Sequence, residues 1–299
     1  MQLVDVKYCV GVAVPSAAEQ RVIAAGRAAA VHSRRPASSH RPLLTDDMPI
    51  HDREGGGGAA AWLRQQWRAL VAESLATALL VLLGLASLVS PAPVPLTHPA
   101  FAFGLVIVML AQVFGPVSGA HMNPAISLAA VLTGYMEIPV ALAYFVAQTI
   151  GAFIGFSALL LFVPSDPMSS GLGCTVPTVS PAAAAAVEGV LTGLLALLAC
   201  SCWAAHDPAR PDHTAPVKFG LGVAGLVYAG GHMTKASLNP VRSLAPAVFM
   251  NVWTHHWVYW VGPLGGAALA AVLHRAVLAP QPAPAAAREE LPLNDKATP

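Results

Sequence analysis

The chain has 299 residues, 56% hydrophobic and only 10% charged, with a formal net charge of +1. Nine of its sixteen Lys and Arg residues lie at or before Arg68 and the next is Arg210, so residues 69–209, 141 in succession, carry no basic side chain. A soluble domain carries about 25% charged residues with both signs interspersed, so a water-soluble fold is excluded and this stretch belongs in lipid. The near-neutral balance excludes nucleic acid as a partner, because phosphate binding needs a clustered basic face. Four cysteines, Cys9, Cys174, Cys200 and Cys202, are too few and too scattered for a disulfide framework.

Residues 1–58 hold Arg34-Arg35-Pro36, His40-Arg41-Pro42 and the Gly55–Gly58 run, with no apolar stretch long enough to cross a bilayer. Val10–Val14 is too short for a signal-peptide core, so the segment reads as a disordered tail. Its arginines leave a transit peptide open, and a start near Met48 would leave everything downstream intact. With about 20 apolar residues per crossing, six spans follow at roughly 69–89, 99–114, 138–163, 182–204, 216–232 and 257–278. Between them stand Pro91, Pro93, Pro95, Pro164, Pro167 and the Asp207-Pro208 and Arg210-Pro211 pairs, all turn chemistry. Two further apolar stretches, about 122–132 and 239–250, reach only about half the hydrocarbon thickness at 1.5 Å per residue. From Pro280 the Ala- and Pro-rich sequence reads as a second disordered tail. Six crossings put both termini and the 205–215 connection on one side, with fourteen of the sixteen basic residues; the other side has Lys235 and Arg242. By the positive-inside rule both termini are cytoplasmic.

The hydrophobic region is duplicated. Glu73-x3-Thr77 answers Glu188-x3-Thr192, Phe103-Gly104-Leu105 answers Phe219-Gly220-Leu221, and Asn123-Pro124-Ala125 answers Asn239-Pro240-Val241, all in nearly constant register. Three spans per half, an odd number, force the second half to sit inverted. Inverted repeats build their site near the midplane from broken helices whose N-termini point inward. Asn is a preferred N-cap and Pro a preferred first helical residue, so the two short stretches read as half-helices meeting mid-membrane.

Ser118-Gly119-Ala120-His121-Met122-Asn123-Pro124-Ala125 and Ser237-Leu238-Asn239-Pro240-Val241-Arg242-Ser243, with Ala72-Glu73 and His256–Pro263, resemble the paired signature of the aquaporin (major intrinsic protein) family over about residues 67–280. Val241 departs from the usual Ala. The resemblance implies an all-α integral membrane fold with six transmembrane helices and two re-entrant half-helices in an inverted 3+3 repeat. It divides the chain into a cytoplasmic tail 1–62, a channel domain 63–280 with repeats at about 67–163 and 182–278, and a tail 281–299. It implies a homotetramer in the plasma membrane, permeated by water, with no cofactor or metal.

The resemblance also implies roles. Asn123, Pro124, Ala125, Asn239, Pro240 and Val241 form the pore midplane, and Phe103, Val227, Ala236 and Arg242 form the selectivity constriction. Water-strict members carry His at the position of Val227, or Tyr228 if the register slips by one, so glycerol or urea is the alternative permeant beside water. Ser243, Ala247, Tyr259 and Trp260 match the water-channel side of the family. Leu244-Ala245-Pro246-Ala247 is also similar to insect channels of water-channel ancestry that pass glycerol. The mercury-sensitive Cys of the family aligns with Ala236. Glu73 and Glu188 read as acceptors for backbone N–H groups of their own half's re-entrant loop, with proton carriage as the sharper alternative. His121 reads as a loop-bracing or pore-lining residue, with pH sensing as its alternative. No nucleophile with its base, phosphate loop or metal cluster is present, so an enzyme is excluded. A secondary transporter coupled through Glu73 and Glu188, and a membrane protein with a closed pore, are the competing classes.

Overall fold

The computed structural model describes residues 58–90, 94–163 and 171–280. The expected tails, apart from 58–62, and Pro91, Pro93, Pro164 and Pro167 lie outside the described residues. Among these residues eight α-helices follow in chain order: α1 Ala59–Ala86, α2 Thr97–Ser118, α3 Pro124–Thr133, α4 Ile138–Phe162, α5 Pro181–Ala204, α6 Ala215–Thr234, α7 Pro240–Met250 and α8 Val258–Leu273, the last running into a π turn His274–Leu278. No strand occurs among the described residues. Five of the helices are long and apolar enough to cross a membrane. The sixth crossing, α6, has 20 residues, roughly 30 Å at 1.5 Å per residue, and its apolar character is diluted by Lys218 and five glycines.

Helix α1 starts at Ala59, ten residues before the expected span and inside the segment 1–62 expected as tail. The bilayer ruler counts only apolar residues, whereas a helix continues into water through good formers such as Arg64, Gln65, Gln66 and Arg68. Helix α2 likewise runs four residues past its expected end, through Gly115 and Pro116, and stops where Gly119 takes the left-handed conformation at φ 82°. At the 205–214 connection, Arg210 pairs with Asp207 and Lys218 with Asp212. The Lys218 ammonium, with the Thr214 hydroxyl and N–H, holds the Asp212 carboxyl below the usual carboxylate range.

The two half-helices, α3 and α7, are exchanged between the repeats. Ala125, Ile126 and Ala129 of α3 pack into a core made by the second half: Leu191, Leu195 and Ala199 of α5, Val223 and Val227 of α6, and Ala267 and Ala271 of α8. Val241, Ala245 and Met250 of α7 pack against Val81 and Leu85 of α1 and Ala152, Phe156 and Leu159 of α4, in the first half. Neither repeat therefore closes its core alone. Glycines set how closely the remaining helices approach. A Cβ on Gly104 would lie 2.6 Å from the Gly220 carbonyl oxygen and one on Gly220 2.5 Å from that of Gly104. This reciprocal contact of α2 with α6 marks the pseudo-twofold relating the halves.

Candidate functional site

Each half-helix begins as its dipeptide dictates. Asn123 and Asn239 are extended N-caps, with Pro124 and Pro240 in the first helical turn. The Asn123 side-chain oxygen accepts the Ala125 N–H at 2.9 Å and that of Asn239 the Val241 N–H at 3.2 Å. Such a cap stabilises a helix by about 1 kcal/mol. The Asn123 amide nitrogen donates to the Leu238 carbonyl and that of Asn239 to the Met122 carbonyl, both at 2.7 Å. The half-helix N-termini thus face each other across the pseudo-twofold, and neither amide can flip without losing these bonds.

The chain reaches these caps through left-handed residues: Gly119, Ala120 and Met122 in one loop, and Lys235, Ala236 and Leu238 in the other, 116 positions on. Five of the six are not glycine, a backbone strain of about 1–3 kcal/mol each, so the surroundings must hold them. Glu73 and Glu188 do so. The Glu73 carboxylate accepts the His121 N–H at 2.8 Å and the Met122 N–H at 2.7 Å. Glu188 accepts the Ser237 N–H at 2.9 Å and the Leu238 N–H at 2.8 Å. Both acids are fully buried. The Tyr144 and Tyr259 hydroxyls donate to the Ser118 and Thr234 carbonyls at 2.9 and 2.8 Å, bracing the start of each loop.

Two cavities adjoin this centre. A narrow one, about 50 Å³, is lined by Asn123, Asn239, Ser237, Leu238, Leu80, Ile107, Leu195 and Val223, together with Phe103, Val227, Ala236 and Arg242. A wider one, about 420 Å³, includes Pro99, Gly173, Cys174, His232 and Lys235, and shares those last four residues, Phe103, Val227, Ala236 and Arg242. The four expected constriction residues are therefore the partition between the cavities. Tyr228, the slipped alternative, is 39% exposed and sits edge-on to Phe101 at the outside. Arg242 is buried, its guanidinium 5.4 Å from the Phe103 ring centroid and donating to the Gly173 carbonyl at 2.7 Å. At the wider cavity, burial pushes the Cys174 thiol up, against the opposing pull of Arg242.

The other expected residues lie behind this surface. Pro124, Ala125, Pro240 and Val241 are buried in helix packing, and Ala247 is buried as well. His121 contacts Ser127 through Nδ1 at 3.1 Å, meets the Tyr144 ring edge-on and lies tilted against Trp203. Trp260 donates to His256 and meets the Phe145 ring of α4. Sequence reading missed the apolar wall, Leu80, Ile107, Leu195 and Val223, although the repeat offset pairs Leu80 with Leu195 and Ile107 with Val223. It also missed the loop 171–175, whose Gly173 carbonyl holds Arg242 and whose Thr175 donates to Ser243 at 2.8 Å.

The family model described as Major intrinsic protein matches residues 61–274. The chain is 41% identical over 219 residues to the lens fiber major intrinsic protein of Gallus gallus, covering 72% of this chain and 83% of that one. It is 38% identical over 232 residues to Aquaporin-4 of Mus musculus, covering 73% and 70%. The X-ray structure of the aquaglyceroporin from Plasmodium falciparum superposes with a TM-score of 0.62 at 22% identity, over 71% of this chain and 96% of that one, a likeness of fold alone.

Proposed function

Since the chain belongs to the major intrinsic protein family, whose members are membrane channels and not enzymes, we propose that it is a passive water channel with one pore through each subunit. The observation that carries this reading is the meeting of the two cavities at Phe103, Val227, Ala236 and Arg242, just beyond the paired Asn caps. Each Asn amide nitrogen has two hydrogens. One goes to the opposite loop's carbonyl, and the other is left for the lumen. The side-chain oxygens are occupied by the caps. A passing water therefore meets donors and turns its oxygen inward and its hydrogens away, which interrupts a proton wire. Two facing N-termini, each worth about half an elementary charge, and the Arg242 guanidinium raise the potential against cations and protons. Leu80, Ile107, Leu195 and Val223 offer water no competing hydrogen bonds. Both buried carboxylates are committed to backbone N–H groups, which disfavours a coupled transporter.

The same reading makes residues 59–280 one channel domain, because the half-helices are exchanged. It adds cytoplasmic tails, a homotetramer and a plasma-membrane location. Val227 motivates the second permeant class. Against a His at that place it removes a donor and leaves room beside Phe103, so glycerol or urea passes along with water. In proteoliposomes swelling in isotonic glycerol, Val227→His is expected to cut glycerol flux at least tenfold while keeping water flux within about threefold. An unchanged glycerol flux would remove Val227 from the constriction.

A further inference from the structure

The two halves use the same hydroxyl position differently. Ser127 and Ser243 are 116 residues apart and stand at the same place in their half-helices. In the first half, the Ser127 hydroxyl meets His121 Nδ1 at 3.1 Å and accepts from the Gln148 amide at 3.2 Å. In the second half Ser237 takes the place of His121, and its hydroxyl pairs with that of Ser243 at 2.5 Å and donates to the Asn239 carbonyl at 2.9 Å. The counterpart of Gln148 on α8, in the register that pairs Tyr144 with Tyr259, is Pro263, which has no donor. Its part is taken by Thr175, from the connection between the repeats, whose hydroxyl donates to Ser243 at 2.8 Å. Thr175 is 5% exposed. Two residues before it, Gly173 offers its carbonyl to Arg242 at 2.7 Å.

We propose that Thr175 is a specificity-positioning residue: by anchoring the connection to Ser243 and α7, it holds the Gly173 carbonyl on the Arg242 guanidinium and so sets the width of the partition. Thr175 touches no permeant and lines neither cavity. Arg242 is fixed from one side by Phe103 and from the other by this carbonyl, so a released connection frees the guanidinium to swing. The same chain of hydroxyls gives Ser243 a physical role: it grips the anchor.

The inference rests on the water-channel reading, and the test separates the two. Wild type, Thr175→Val and Thr175→Ser are reconstituted at equal density, and water and glycerol permeabilities are measured by light scattering. Val keeps the branched shape without the hydroxyl, and Ser keeps the hydroxyl. The glycerol-to-water permeability ratio is expected to change at least threefold in Thr175→Val and to return to within about 1.5-fold of wild type in Thr175→Ser. A ratio unchanged in Thr175→Val, or altered equally in both variants, would overturn the positioning role while leaving the channel reading intact. A wild-type chain that conducts no water above empty vesicles would overturn the channel reading itself.

Discussion

Glu188→Ala is expected to lose nearly all osmotic water flux in proteoliposomes, and with it much of the protein's resistance to thermal unfolding in detergent. The substitution strips the acceptor from the Ser237 and Leu238 N–H groups, both buried. Each orphaned donor costs about 1–3 kcal/mol, so the pair costs roughly 2–6 kcal/mol. The loop concerned also carries Lys235, Ala236 and Leu238 in the left-handed region, strain that persists only while the surroundings over-determine it. Glu188→Gln offers one acceptor oxygen and sets an NH2 against the second N–H, so its loss is intermediate. Glu73→Ala is the same experiment on the other half, where Ser118 and Gln148 also lose their acceptor. Full water flux in Glu188→Ala, with unchanged unfolding temperature, would mean that the carboxylate does not support the loop, and would reopen its reading as a proton carrier.

Arg242→Val has the largest expected effect on selectivity. It removes the charge at the partition, the cation–π contact with Phe103 and the partner of the Gly173 carbonyl. Glycerol and urea permeability is expected to rise about tenfold or more, equivalent to roughly 1.4 kcal/mol off the barrier. A proton leak, absent in wild type, is expected to become measurable with an internal pH dye. Water permeability stays within about threefold, because the Asn pair and the apolar wall are untouched. A variant as tight to glycerol and protons as wild type would show that Arg242 braces the loop and does not select.

What was legible in the sequence depended on whether the signal was local or repeated. The Asn-Pro starts of α3 and α7 are local capping chemistry, and the structure has the Asn side chains capping where expected. The carboxylate-to-loop bonds could be anticipated because two acids recur in register with two loops. Counting back from Asn239 pointed to Val227 and left Tyr228 open, a one-residue ambiguity that the helix resolves into inside against outside. Other features gave no contrast. Leu80, Ile107, Leu195 and Val223 are apolar residues on apolar helices, and only their pairing under the repeat offset sets them apart. The beginning of α1 at Ala59 was hidden because a hydrocarbon ruler ends at the lipid and a helix need not. The exchange of half-helices is a long-range packing choice with no local mark. Thr175 was invisible for the opposite reason: the connection it sits on lies between the repeats and has no symmetric partner to flag it.

The central claim is that this chain passes water and stops protons. Vesicles holding the purified chain and a pH-sensitive dye, exposed to an osmotic step and then to a pH step, read both fluxes in one preparation. The account predicts fast shrinkage, linear in the osmotic gradient and unsaturated, with proton entry no faster than in empty vesicles. Shrinkage no faster than in empty vesicles, or proton entry that rises in proportion to water flow, would contradict it.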